Sequence, residues 1–307
     1  MLMEGCHGKS WRPSTGLPAG RGVSAITRRL AVAICCVAGT LAGKESAFSD
    51  RFPTHRLAHE QFLYTGSDQV CRLIDEAGNR AGVSRGQAFE DFLSCAVCAL
   101  SARQMEEEYL AVVAKGYGEG KHGRRGIDSL TRAFATLISL MEETRRDILG
   151  DVFQGGITYG EAGQFLTPEN LCTLMAAMSL DADQQNEVVC DPCCGSGRML
   201  LAYADQKRAG ELIGQDVDLR CVRMTAMNMA LRNLYGYVLW GNSLAHEVKL
   251  GYRTGMNMYG GFIRHMRPGE LAEKVAAPAG TEAPQQPRTV NLPRARSEGP
   301  AKQLDLF

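Results

Sequence analysis

No stretch of this sequence comes near the ~20 consecutive apolar residues that a membrane helix needs, so no span is expected. An excess of either charge is missing too: 34 Lys and Arg face 34 Asp and Glu, for a net charge of zero. That balance excludes a basic protein that coats nucleic acid and an acidic one that mimics it, and it leaves room for a local basic groove. A disulfide framework is also absent. The 11 cysteines are scattered along the chain and several sit in apolar runs, which suits reduced thiols in a cytosol. Cys95-x-x-Cys98 falls mid-helix, and Cys190, Cys193 and Cys194 flank a glycine loop. Zinc needs four ligands, and nothing fixes Cys221 or His246 beside either group, so buried thiols are expected and no metal.

What is present is 307 residues, with 45% apolar and 22% charged, enough for one large domain or two modest ones. Residues 1–50 stand apart. Gly, Ser, Arg and Pro dominate 5–29, and an apolar run from Leu30 to Gly43 follows Arg28 and Arg29. The order is that of a signal peptide, but the charged part is too long and no small-residue cleavage site follows. A disordered or misassigned extension is the expectation.

From 51 to 150 the pattern is helical. Ser84 suits an N-cap before Phe89, Phe92, Leu93, Val97 and Leu100, which recur at spacings of three and four. Met105 to Ala114 continues it. A basic, glycine-rich loop follows at 116–125. Ile127 to Leu149 reads as one long helix whose apolar face holds Leu130, Phe134, Leu137, Ile138, Met141 and Ile148.

From 151 to 267 the pattern alternates. A helix over 168–180 has Pro168 in its first turn, where proline is tolerated. A short strand, Glu187 to Cys190, leads into Asp191-Pro192-Cys193-Cys194-Gly195-Ser196-Gly197 and a helix from Arg198. A second strand, Leu212 to Asp216, ends in an acid. A helix over Arg220 to Leu234 and a third strand, Val238 to Trp240, complete a doubly wound α/β succession. Residues 268–307 are rich in Ala, Pro, Glu and Arg, lose all periodicity, and read as a flexible tail.

Ligands of open α/β sheets bind outside the carboxyl ends of the strands, at the switch point. The loop 191–197 lies at such an end, and its glycines let backbone approach a ligand without a Cβ. Asp216, at the end of the next strand, is placed to hydrogen-bond a ribose diol. No Gly-Lys-Ser/Thr follows, and the three-glycine dinucleotide fingerprint is absent. A nucleoside cofactor without phosphates fits best.

Over roughly residues 84–245 the chain resembles the S-adenosylmethionine-dependent DNA adenine-N6 methyltransferases. It is similar to the methylation subunits of type I restriction-modification systems, especially their short phage- and plasmid-borne forms. Gly163-Gln164-Phe165-Leu166-Thr167-Pro168 resembles that family's Gly-Gln-Phe-Phe-Thr-Pro segment, which contacts the methionine end of the cofactor. Asp191 to Gly197 resembles its Asp-Pro-x-x-Gly-Ser-Gly loop, and Gly241-Asn242-Ser243-Leu244 its Gly-Asp-Ser-Leu. The resemblance implies a Rossmann-like α/β methyltransferase core, whole or truncated, behind a helical N-terminal region. It implies S-adenosylmethionine as cofactor, bound by Gln164, Phe165, Leu166, Thr167, Pro168, Asp191, Pro192, Cys193, Gly195, Ser196, Gly197, Asp216 and Asn242. The amide oxygen of Asn242 stands where the family's acid accepts the adenine amino group.

The family's catalytic Asn/Asp-Pro-Pro-aromatic motif is missing. No Pro-Pro follows Gly241, and Asn257-Met258-Tyr259 is the one Asn beside an aromatic there. The catalytic residues are therefore unassigned. The chain reads as a methyltransferase acting on adenine N6 of DNA. The alternative is a catalytically silent cofactor-binding module or accessory subunit. A specificity subunit or a second methyltransferase half is the expected partner, and the cytoplasm the expected location. Gln303-Leu304-Asp305-Leu306-Phe307 resembles the Gln-Leu-x-Leu-Phe peptide that docks bacterial proteins on the replicative sliding clamp. Gln303, Leu304, Leu306 and Phe307 would make that contact at the end of a proline-rich tether.

Overall fold

A computed structural model of the chain describes residues 62–158, 165–180, 188–207 and 210–271. The extension 1–50, residue Gln164 and the clamp-type peptide 303–307 lie outside the described residues. The chain divides into two compact units, 1–267 and 268–307, and only 268–271 of the second is described.

The helical region opens with α1 (Ser67–Ala81) and α2 (Arg85–Ala99). Ser84 caps α2 as expected, its Oγ accepting the Gln87 amide at 3.3 Å. Next come α3 (Glu106–Val112), a π-turn over Val113–Tyr117, and α4 (Gly126–Thr144). The expected helix from Ile127 to Leu149 does not run through. It stops at Arg145, which adopts a left-handed φ of 56°, and a separate short α5 (Ile148–Val152) starts at the Asp147 N-cap. The break keeps Leu137, Ile138, Met141 and Ile148 buried while it turns Asp147 inward.

After α6 (Glu169–Ser179) the sheet begins. Its strands are β1 (Val188–Asp191), β2 (Glu211–Asp216), β3 (Gly236–Trp240), β4 (Leu250–Asn257) and β5 (Gly260–His265), ordered 1-2-3-4-5. β1, β2 and β3 are parallel, and β4 and β5 form an antiparallel hairpin added beside β3. Helices α7 (Arg198–Gln206) and α8 (Leu219–Leu231) make the two crossovers. This is the expected α/β, Rossmann-like core with a helical lead-in. It departs from the doubly wound expectation: α7 and α8 touch one another and both pack on β2, so they share one face. The sheet also never reverses direction, and β1, which carries the glycine loop, is its edge among the described residues.

α8 ties the two regions together. Residues from Cys221 to Ala230 are buried nearly all round, as expected of a helix with apolar neighbours on every side. It packs against α2 on one side and β2–β5 on the other. One continuous core results, running from Val70 and Phe89 to Val238 and Ile263. Cys95 and Cys98 are buried in it, and burial pushes the Cys98 thiol up to about 12. Among the described residues no helix is long and apolar enough to cross a membrane.

Candidate functional site

The carboxyl ends of β1, β2 and β3 form one mouth. Asp191 closes β1, and its Oδ1 accepts the Cys193 amide at 3.1 Å, turning the chain sharply. Gly195 and Gly197 then take left-handed φ values of 55° and 88°. A Cβ on Gly195 would stand 2.8 Å from Leu166, and one on Gly197 3.0 Å from Thr225. The two glycines thus have different roles. Gly195 makes room for the 165–168 segment, whereas Gly197 lets the start of α7 press against α8.

Asp216 closes β2 and holds the loop directly. Its Oδ2 accepts the Gly195 amide at 2.9 Å and its Oδ1 the Asp218 amide at 2.9 Å. An ionised carboxylate has about four acceptor sites, so two backbone bonds leave room for a diol. The loop is also pinned to β2 through Cys194, whose amide bonds the Gln215 carbonyl at 2.9 Å. Burial is the main effect that raises the Asp191 carboxyl above the ordinary range; the Cys193 amide opposes it and the Asp216 charge adds to it.

The segment before α6 docks on the loop. Leu166 faces Gly195, the Thr167 carbonyl accepts from Arg198 Nη1 at 3.3 Å, and Pro168 caps α6. Phe165 is exposed. Pro192 and Cys193 are exposed at the mouth, while Ser196 and Gly197 are buried beneath it. Val217, which sequence reasoning missed, follows Asp216 and leaves its side chain exposed. Its carbonyl accepts from Trp240 Nε1 at 3.0 Å, so the ends of β2 and β3 are locked together.

Asn242 lies just past β3, close to where it was expected, but its oxygen is committed. Oδ1 accepts the Leu244 and Ala245 amides at 3.0 and 3.2 Å. Asn257 is elsewhere altogether. β4 runs antiparallel to β3, with Leu250 opposite Trp240 and Thr254 opposite Gly236. Asn257 therefore sits at the hairpin tip, at the far end of the sheet from the mouth, bonding the Tyr259 amide at 2.8 Å.

Beneath the loop lies a buried polar cluster that no motif announced. Asp147, 1% exposed, accepts from Ser196 Oγ, Arg198 Nε (2.7 Å), Asn228 Nδ2 (2.8 Å) and the Gly150 amide (2.8 Å). Asn228 also donates to the Ser196 carbonyl at 2.8 Å. One carboxylate thus joins the helical region, the glycine loop and α8. Asp147 could have been suspected as an N-cap; Asn228 had no sequence signal among the methionines of α8. No group of three His, Cys, Asp or Glu side chains among the described residues is placed to hold a metal.

No curated protein matches the chain. A solved structure from Listeria monocytogenes, described as a class I S-adenosylmethionine-dependent methyltransferase, is similar at 17% identity with a TM-score of 0.38. The match covers 58% of this chain and 54% of that one, so the chain spans about half of that protein, and the likeness is too distant to bear on the site. The family model for N-6 DNA methylase matches residues 144–254. That stretch holds the glycine loop, Asp216 and Asn242, and also Asp147, Arg198 and Asn228. Over residues 144–254 the chain is similar to the N-6 DNA methylases.

Proposed function

We propose that the chain binds S-adenosylmethionine at the mouth of β1–β3 and serves methyl transfer to adenine N6 of DNA. The observation that carries this reading is the Asp216 carboxylate, bonded to the Gly195 amide. It makes the glycine loop and the acid at the next strand end one rigid unit, the arrangement that receives a ribose beside a close backbone approach. The residues fit a nucleoside cofactor. Asp216 keeps acceptor sites for the diol, the exposed Val217 gives an apolar surface to the base, and the 165–168 segment closes the side next to Gly195. Bound there, S-adenosylmethionine supplies a methyl group activated on a sulfonium. The family match to residues 144–254 supports DNA as the substrate.

The full chain, titrated with S-adenosylmethionine in a calorimeter, tests the site. Asp216→Ala should weaken binding by ~10-fold or more, since hydrogen bonds to a charged group contribute ~1.5–3 kcal/mol. Equal affinities in wild type and variant would refute it.

One observation favours a narrower reading. Neither asparagine considered for accepting the adenine amino group is placed to do so at the mouth. Asn242 Oδ1 is engaged and Asn257 is remote. On this reading the chain is the cofactor-binding half of an enzyme whose amino-group acceptor comes from another half or subunit. Strong adenine-N6 methylation by the purified chain alone would overturn it. The C-terminal peptide fits docking on a bacterial sliding clamp. Replacing Leu306 and Phe307 by Ala should abolish that binding in a pull-down and leave cofactor affinity unchanged; retention of the clamp would sink it.

A further inference from the structure

A second surface stands open at α6. A helix of 11 residues is marginal in water by itself and takes its stability from packing an apolar face. α6 packs on α7, yet its buried residues are two small ones, Cys172 and Ala176. Its large apolar side chains point away. Leu171, Leu174, Met175 and Met178 are 44%, 56%, 43% and 78% exposed, and their spacing puts them on one stripe. From Asn170 to Ser179 the helix carries no charge, so this is not an ordinary solvated face. Contiguous exposed apolar surface of this kind marks a place of interaction.

The described chain enters beside that helix. Asp151 accepts the Leu63 and Tyr64 amides at 2.8 and 3.0 Å. The Tyr64 side chain hydrogen-bonds Glu169, the first residue of α6. Upstream lies the apolar run from Leu30 to Gly43. It has no charged residue, and Leu30, Val32, Ile34, Val37 and Leu41 are its large apolar side chains. The 18 residues 44–61 reach up to ~60 Å when extended. α6 is only ~16 Å long, so the run reaches the whole stripe. The stretches flanking α6 offer no such surface: 159–164 is short and polar, and 181–187 holds Asp181, Asp183 and Glu187 with no large apolar residue. Residues 272–302 are charged and rich in proline.

We propose that residues 30–43 dock on the exposed stripe of α6 in the same chain. Two uncharged apolar surfaces, tethered within reach of one another, are removed from water together. Met175 and Met178 suit the contact, since an unbranched thioether adapts to an irregular partner. The docked segment supplies α6 with the large apolar contacts that Cys172 and Ala176 do not make. The proposal uses neither cofactor nor DNA and does not rest on the function proposed above.

The test is methionine oxidation of the full chain by dilute hydrogen peroxide, followed residue by residue by mass spectrometry. The molecule carries its own standards. Met258, at the β4–β5 hairpin tip, is 76% exposed, and Met227, in α8, is 0% exposed. If the stripe is covered, Met178 becomes sulfoxide ~10-fold or more slower than Met258, despite equal exposure in the described fold. Ile34→Asp with Val37→Asp puts charge into the docked segment and should raise the Met178 rate to that of Met258, with Met227 still protected. If Met227 oxidises as well, the fold has loosened, and the milder Ile34→Ser should raise Met178 alone. Wild type in which Met178 oxidises as fast as Met258 overturns the proposal. So does protection that survives both the charged and the milder variant. Protection lost on dilution of wild type would assign the cover to a second copy, and protection lost in Leu306→Ala with Phe307→Ala would assign it to the C-terminal peptide; either result overturns the proposal too.

Discussion

Removing the Asp147 carboxylate should be among the costliest single changes in the protein. The side chain is 1% exposed and its oxygens take four donors, from Ser196, Arg198, Asn228 and Gly150. Arg198 is itself 5% exposed, so Asp147→Ala strands a buried cation. Breaking such a pair from one side costs about 3–5 kcal/mol. That is a large share of the ~5–15 kcal/mol by which domains of ordinary size are stable. The assay is equilibrium urea unfolding, read as a fall in midpoint at constant slope. The second arm is Asp147→Ala combined with Arg198→Met. With the cation gone as well, the double variant should be more stable than Asp147→Ala alone, because an apolar pair carries no unpaired charge. A loss under ~1 kcal/mol in the single variant, or strict additivity in the double, would refute the buried pair as the link between helical region and loop.

Other consequences follow from the mouth and its surroundings. Gly197→Val puts a branched side chain at φ 88° and against Thr225, so it should cost about 2–4 kcal/mol in urea unfolding; an unchanged midpoint would contradict the α7–α8 packing role. Burial raises the Asp191 carboxyl, so folding favours its neutral form. The stabilisation this gives is present below the ordinary aspartate pKa and lost as pH rises through the raised value. Asp191→Asn should therefore gain stability over wild type from about pH 4 upward, and urea midpoints measured across pH check the sign. Asn257→Ala, at the far end of the sheet, should leave cofactor affinity unchanged and stability within ~0.5 kcal/mol; lost affinity in calorimetry would mean the register of β4 is misread.

The parts of the site that lie close together in sequence were legible. Asp191 to Gly197, the acid at 216 and the segment at 165–168 follow from strand ends, glycines and a proline. Local spacing sets them, and the structure brings them to one mouth. The β4–β5 hairpin escaped notice because Gly251, Gly255, Gly260 and Gly261 interrupt any apolar alternation. The end of α4 escaped because Arg145 carries no helix-stop signal, yet takes the left-handed conformation that usually calls for glycine. Asp147 and Asn228 are 81 residues apart and meet only through tertiary packing, which no local pattern encodes. Asn242 lies just past β3, and its oxygen serves the next turn, a choice set by backbone amides two and three residues on.

The central claim is that the loop at 191–197 and the acid at 216 form one cofactor site. Titration of the full chain with S-adenosylmethionine tests it most directly, with Asp216→Ala as the variant and Asn257→Ala as the control. The account predicts saturable binding, weakened ~10-fold or more in Asp216→Ala and unchanged in Asn257→Ala. Wild-type protein without binding, or affinity that ignores Asp216, would contradict it.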